Sequence, residues 1–276
     1  MKKEISAHGE TDVAGREKSF CRRCKFWAAC MALAIPALAR GGEFEAYLRA
    51  ERFAWEEFVD GARILKEDGP RIGGGIRGTL LEFERWRLAA RAEATLGRVD
   101  YDGQTFGGEP ATANSDYFGM RGELDAVLRP EAEGLRFHPR LGIGARYWLR
   151  RIAEGDADEG GYDENWFTLY AKFGGQLVWT LDGNTRIYLG VARRPALANR
   201  TYYNIELADD DTFSLEPGRD STWDVEAGLQ HGRVRIAAFY ETLSFKESNR
   251  KSFPPIEVFQ PKSEGSIAGV QVGLVW

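Results

Sequence analysis

The last residues of this chain, 266–276, alternate without a break. Ala268, Val270, Val272, Leu274 and Trp276 fall on one side of an extended strand, and Ile267, Gln271 and Val275 fall on the other, among glycines. A period of two places successive side chains on opposite faces of a sheet. The same period returns along the chain, most clearly over residues 135–150. There Leu135, Phe137, Leu141, Ile143, Ala145, Tyr147 and Leu149 oppose Arg136, His138, Arg140, Arg146 and Arg150.

Read this way, the sequence predicts ten strands: 43–57, 71–78, 86–101, 117–128, 135–150, 166–179, 185–194, 221–229, 233–245 and 266–276. The alternation in the third shifts phase near Gly97, which predicts a β-bulge. Short turns, such as Asp182-Gly183 and His231-Gly232, alternate with longer polar connections. The longer ones follow the first, third, fifth, seventh and ninth strands. They comprise a polar loop through Asp60, Gly61, Lys66, Asp68, Gly69 and Pro70, a loop over 103–114, an acidic loop over 154–164, one through Asp209, Asp210, Asp211, Pro217 and Gly218, and one around Pro254-Pro255.

Each strand carries an apolar face and a charged face, and alternation alone does not say which is inside. Many strands run to 10–15 residues, longer than the usual soluble strand of about 5–6 and enough to cross a bilayer at about 9–11 tilted residues. The charged face holds both signs. Arg49, Arg87, Arg91, Arg121, Arg140 and Arg146 stand where they could pair with Glu51, Glu93, Glu123, Asp125, Asp224 and Glu226. With that face inward, the charges must be paired or hydrated, so the reading predicts a lumen largely filled by an ion-pair network.

The N-terminal region reads as a processing segment, 1–39. Arg22, Arg23 and Lys25 precede an apolar run over 26–38, and Ala37-Leu38-Ala39 supplies a small-x-small cleavage pattern. The run is too short for a spanning helix, which needs about 20 apolar residues; a short anchor or a buried helix is the plainer alternative. The polar stretch 1–20 is long for such a signal, so the true start codon is open. Cys21 and Cys24 sit badly beside a twin-arginine reading of Arg22-Arg23. Cys30 comes too early in the apolar run to be a lipidation site. All three cysteines precede the expected cleavage point, so they form no redox, zinc or disulfide site in the product. The first 39 residues carry seven Lys/Arg and four Asp/Glu, so the rest of a chain of net charge −5 is left at −8. An acidic product argues against a nucleic-acid partner.

The terminal aromatic on the apolar face resembles the closing strand of bacterial outer-membrane β-barrel proteins. With the signal segment and the strand rhythm, the resemblance covers 41–276. It implies an all-β fold: a single closed antiparallel up-and-down transmembrane β-barrel over 40–276, with about ten strands and 8 to 12 possible. It further implies a cell outer-membrane location, both termini on the periplasmic side, a narrow lumen of porin-like construction, and recognition of Trp276 as an assembly signal by the barrel assembly machinery. Outer-membrane lipid and lipopolysaccharide are the other implied partners, and the implied state is a monomer.

Barrels of this size include the omptin proteases, which use carboxylates and a histidine near the outer rim. Here His138 and His231 are the histidines after the signal segment, and both map to the opposite end. No Ser/His/Asp set stands out. Gly73-Gly74-Gly75 lacks the lysine of a phosphate loop and reads as strand packing. No cofactor is expected. Asp156, Asp158 and Asp163 are weak metal candidates in an acidic loop with Glu159 and Glu164, where a solvated loop is the plainer reading. Trp55, Trp148, Trp166, Trp179 and Trp223 are candidate interfacial anchors, although Trp148 and Trp166 fall on the polar face. Residues 97–103 and 162–166 read as loop bases. Three functional readings follow: a barrel with a structural, adhesive or narrow-channel role, a barrel enzyme acting on lipid or peptide at its external rim, or a secreted soluble barrel holding an apolar ligand.

Overall fold

The computed structural model describes residues 42–276, apart from 105–107, 131–133, 155–160, 208–209 and 254–255. Ten long strands form a wall: β1 (Phe44–Val59), β2 (Ala62–Glu82), β3 (Trp86–Gln104), β4 (Pro110–Leu128), β5 (Leu135–Ile152), β6 (Tyr162–Thr180), β7 (Thr185–Leu207), β9 (Ser221–His231), β10 (Val234–Phe245) and β13 (Lys262–Val275). Three shorter strands are added to it. Strand β8 (Asp210–Leu215) pairs with the far part of β7, and β11 (Lys251–Phe253) pairs with β12 (Ile256–Val258). Each wall strand is antiparallel to its neighbour, and β1 pairs with β13 from Glu45↔Val275 to Phe58↔Lys262, so the sheet closes on itself. Closure removes the unpaired edges that lipid cannot solvate.

The first and last described residues lie at one end of the barrel. Phe44 N–H donates to Trp276 O (3.1 Å) and Trp276 N–H to Phe44 O (2.8 Å). The connections over 83–85, 181–184 and 232–233 share this end, called here the terminal end, as do Leu128 at the close of β4 and Leu135 at the start of β5. The connections at the other, distal end include the long ones, but the structure shortens several that the sequence suggested: residues 110–114 belong to β4, and Asp210 and Asp211 to β8. The polar stretch after β1 is no loop. Asp60 and Gly61 alone make the turn, with φ of 52° and 81°, the left-handed pair a two-residue hairpin needs. Lys66, Asp68, Gly69 and Pro70 belong to β2.

The bulge expected near Gly97 is absent. Strand β3 keeps its register past that point, with Ile72↔Leu96, Arg71↔Gly97 and Gly97↔Tyr117. In the β2–β3 ladder the irregularity lies between Thr79 and Leu81 instead. What changes at Gly97 is chemistry, not geometry. Toward the terminal end, outward positions of β3 are Leu88, Ala90, Ala92, Ala94 and Leu96 and inward ones include Arg91 and Glu93. Beyond Gly97 the outward residues are Arg98, Asp100 and Asp102, and the inward ones are Val99 and Tyr101. The two faces exchange polarity while the backbone continues straight on.

The same exchange occurs in neighbouring strands and divides the barrel into two zones. Around the terminal zone, large apolar side chains point outward and stay exposed: Leu48, Ile72, Leu96, Leu124, Leu141, Ile143, Phe173, Val270, Val272 and Leu274 among them. An apolar band of this extent is what lipid covers and water does not. Above it the outward residues turn ionic in cross-strand pairs. Arg52 meets Asp68 (2.6 Å), Arg98 meets Asp116 (2.7 Å) and Arg151 meets Asp163 (3.1 Å), forming a charged collar over β1 to β6.

Candidate functional site: a filled lumen

Inside the terminal zone, side chains from all around the wall meet in a charged network. Three carboxylates act as its hubs. Glu93 accepts from Arg49 (2.8 Å), Arg91 (2.9 Å) and Tyr47 (2.7 Å), and it also pairs with Arg121. Glu123 binds Lys172 (2.6 Å) and Tyr170 (2.8 Å). Glu241 takes Arg121 (2.8 Å) and Arg146. Arg194 sits between Glu123 (3.2 Å), Asp224 (3.0 Å) and Glu241 (3.1 Å). Its nitrogens point off the hydrogen-bond line, so the contact is chiefly electrostatic.

Glycines on neighbouring strands shape this network. Tyr47 lies opposite Gly75, Tyr170 opposite Gly144 and Tyr188 opposite Gly228. A Cβ at any of the three glycines would come within 2.6 Å of the facing phenol. Each tyrosine therefore lies flat across a bare stretch of backbone. That lets its hydroxyl reach a carboxylate of the network: Tyr47 to Glu93, Tyr170 to Glu123, and Tyr188 to Glu226 (2.9 Å). Gly75 thus acts through packing in a strand, as expected of the Gly73-Gly74-Gly75 run.

Of the twelve residues proposed for a lumen network, ten lie in ion pairs. Arg49 pairs with Glu51 (2.6 Å) as well as Glu93, Asp125 with Lys172 (2.8 Å), Asp224 with Arg194, and Glu226 with Arg91 (3.9 Å). The other two, Arg87 and Arg140, meet no carboxylate; the partner of Arg140 is the Gln176 amide. Sequence reasoning left out Arg194 and Glu241. Arg194 follows Arg193, so one arginine faces each way, and Arg193 lies over Trp223 on the outside (5.7 Å). Glu241 shares its inward face with Ala237 and Phe239, which hides the charged pattern. Arg77 was also missed, in the glycine-rich strand; it joins Glu45 (2.7 Å) and Glu226 (2.8 Å).

Above the network the lumen becomes aromatic. Phe53, Trp55, Tyr117, Trp148, Trp166, Leu243 and Phe245 form one buried cluster. Trp55 meets Trp166 edge to face (5.5 Å), and Trp148 stacks on Trp166 (5.5 Å). Trp55 is therefore a core residue, not an interfacial anchor, because it lies where the inward face has turned apolar. Trp148 and Trp166 join it there, while Trp179 and Trp223 remain outward and half exposed. Two arginines join the zones, Arg49 stacking on Phe239 and Arg71 on Phe53, each at 4.1 Å.

Within the distal zone lies a second polar node. Arg150 donates to Glu57 (3.1 Å), Glu67 (3.1 Å) and Glu164 (3.0 Å). The indoles of Trp55 and Trp166 donate to Glu57 (2.9 Å) and Glu164 (2.8 Å), each two residues away on the same strand face. Three carboxylates thus share one guanidinium. Glu57, above the apolar band, is held above the usual carboxylate range: burial is the main cause, Arg150 opposes it, and Glu164 adds to it. Residues expected at a loop base, Tyr162 to Trp166, lie in β6 and carry part of this node. Nearby, Tyr203 of β7 stacks on Phe213 of β8 (4.9 Å), and its hydroxyl bonds Gln260.

Little space remains. One cavity of about 40 Å³ is lined by Arg49, Phe53, Arg121 and Trp148, and another of about 20 Å³ by Tyr170, Arg194 and Phe245. Such volumes suit a few waters at most. His138 lies near the terminal end of β5, and His231 at that end bonds Thr185 (3.0 Å). Neither histidine is at the distal rim. Of the weak metal candidates, Asp163 pairs with Arg151, while Asp156 and Asp158 lie outside the described residues, as do residues 1–39, where the sequence leads one to expect a signal segment. Asp209 also falls outside them.

A closed ten-stranded antiparallel barrel with an apolar belt outside and charges inside is the fold of bacterial outer-membrane β-barrels. Among solved structures, the chain is similar to the outer membrane protease OmpT from Escherichia coli, at 11% identity and a TM-score of 0.49, covering 85% of this chain and 97% of that one. It is similar to the toluene transporter TodX from Pseudomonas putida at 11% identity and TM-score 0.39, covering 86% and 89%. The translocator domain of the autotransporter NalP from Neisseria meningitidis aligns at 11% identity and TM-score 0.39, covering 93% and 97%. No protein-family model and no curated protein matches the chain.

Proposed function

We propose that this chain is an integral outer-membrane barrel with a structural or adhesive role, a sealed lumen and a distal extension standing in water outside the membrane. One observation carries the reading: side chains from opposite sides of the wall meet across the lumen, and the two cavities described among them are each water-sized. A ten-stranded barrel is narrow to begin with, and a contact such as Arg121 of β4 with Glu241 of β10 crosses that section. The narrow-channel role is correspondingly disfavoured. A rim enzyme of omptin type lacks its histidine, since His138 and His231 both sit toward the terminal end. A soluble ligand-binding barrel would need an apolar cavity inside and a polar exterior, the reverse of the belt zone.

In this reading residues 1–39 direct export in a Gram-negative cell, Trp276 is the signal to the assembly machinery, the termini face the periplasm, and the collar meets lipopolysaccharide headgroups. The chain works as a monomer. Planar-bilayer recording of the refolded protein tests the role: a flat baseline fits a sealed barrel. Reproducible current steps that persist in freshly purified protein overturn it and restore the channel.

A further inference from the structure

In the lumen, cations and carboxylates are matched almost throughout, and the exceptions cluster. Arg87 on β3 and Arg136 and Arg140 on β5 face inward at the terminal end, and among the described residues none has a carboxylate within ion-pair distance. Arg140 has the Gln176 amide, Arg136 has the Thr180 hydroxyl (3.1 Å), and Arg87 has no hydrogen-bond partner among the described residues. The ladder brings them together. Arg87 pairs with Val127 of β4 and Val127 with Arg140, so the two arginines flank one fully buried valine at the same height. Arg136 follows one turn of the pleat beyond His138, toward the mouth. The Nε atoms of all three arginines and Nδ1 of His138 are buried without an acceptor.

Three uncompensated guanidinium groups in a confined mouth are costly, whereas every arginine deeper in the lumen is offset by a glutamate or aspartate. Guanidinium forks match oxyanions of two or more oxygens, and phosphate best of the common ones. We propose that the terminal mouth of the lumen is an anion site that takes a phosphate group between Arg87 and Arg140, with Arg136 at its entrance. The phosphate can be free inorganic phosphate or the headgroup of a phospholipid, and the site's chemistry is the same for both.

The test uses the full chain folded in maltoside micelles, titrated with inorganic phosphate by calorimetry and, separately, with short-chain phosphatidylglycerol. Phosphate binding that falls at least tenfold in Arg87→Gln and in Arg140→Gln supports the site with a free anion. Binding of the lipid alone, lost in the same variants, supports it with a headgroup. Gln176→Glu guards against variants that fail to fold. It supplies an internal carboxylate beside Arg140, and it should raise the melting temperature without ligand while abolishing binding. No binding of either probe to the wild-type barrel overturns the proposal. So does equal binding by wild type and Gln176→Glu, which would mean that the probe sits elsewhere.

Discussion

The belt zone and the distal zone are built from the same strands, yet their insides and outsides are opposites. At Ile143 the wall shows apolar carbon outward with charges behind it. At Arg151, on the same strand, it shows charge outward, and Trp148 and Ile152 are buried within. On β3 to β6 the backbone does not mark the change, since the β3–β4 and β5–β6 ladders run through it in unbroken register. Alternation therefore records only that a strand has two unlike environments. Which environment is lipid must be read from the level at which polarity reverses.

The zones should also fail differently. The largest effect is expected from Arg194→Ala, which leaves Glu123, Asp224 and Glu241 without their shared cation. Breaking a buried ion pair costs about 3–5 kcal/mol, to be read from urea unfolding in micelles. Trp166→Ala should cost a similar ~3–5 kcal/mol, the usual range for deleting a buried aromatic, but confined to the distal zone. Limited proteolysis should then cut distal connections while the belt strands stay protected. Cleavage throughout the barrel would show that the zones are one cooperative unit.

Smaller effects place the boundary between them. Leu141→Arg, in the belt, should cost about 2–4 kcal/mol near the bilayer midplane, while Asn114→Arg, outward in the distal zone, should change stability by less than about 0.5 kcal/mol. If both insert equally well, the faces have been assigned wrongly. The Glu57 node should respond to pH. Because Glu57 is held above the usual carboxylate range, its contribution to distal stability is complete below that range and fades as pH rises. Glu57→Gln should flatten this dependence in a pH series of proteolysis rates. Least of all, a double-mutant cycle on Arg98 and Asp116, whose side chains are 67% and 50% exposed, should return about 0.2–1 kcal/mol.

The sequence carries the ten wall strands plainly because period two needs only local information. It also carries the inward position of residues such as Arg49 and Glu93. Three things escape it. The distal halves of the strands look like loops, since Lys66 and Asp68 are polar while the inward residues that alternate with them, Leu65 and Glu67, mix apolar and charged. The exchange of faces mimics a slipped register, which is why Gly97 suggested a bulge. Partnership across the lumen is set by closure, not by alternation: Arg77 reaches Glu226 over a sequence separation of 149, and no local pattern encodes that contact.

The central claim is the level at which the outward face passes from lipid to water. Residues 42–276 contain no cysteine, so single cysteines at the outward positions of β3, from Ala90 to Asp102, can carry a nitroxide in liposomes once Cys21, Cys24 and Cys30 are replaced. Collisions with oxygen report lipid and collisions with a water-soluble nickel complex report solvent. The account predicts oxygen-dominated relaxation through Leu96 and a change to nickel-dominated relaxation at Arg98, Asp100 and Asp102. A profile dominated by nickel from Ala90 onward, with no crossover at Gly97, would contradict it.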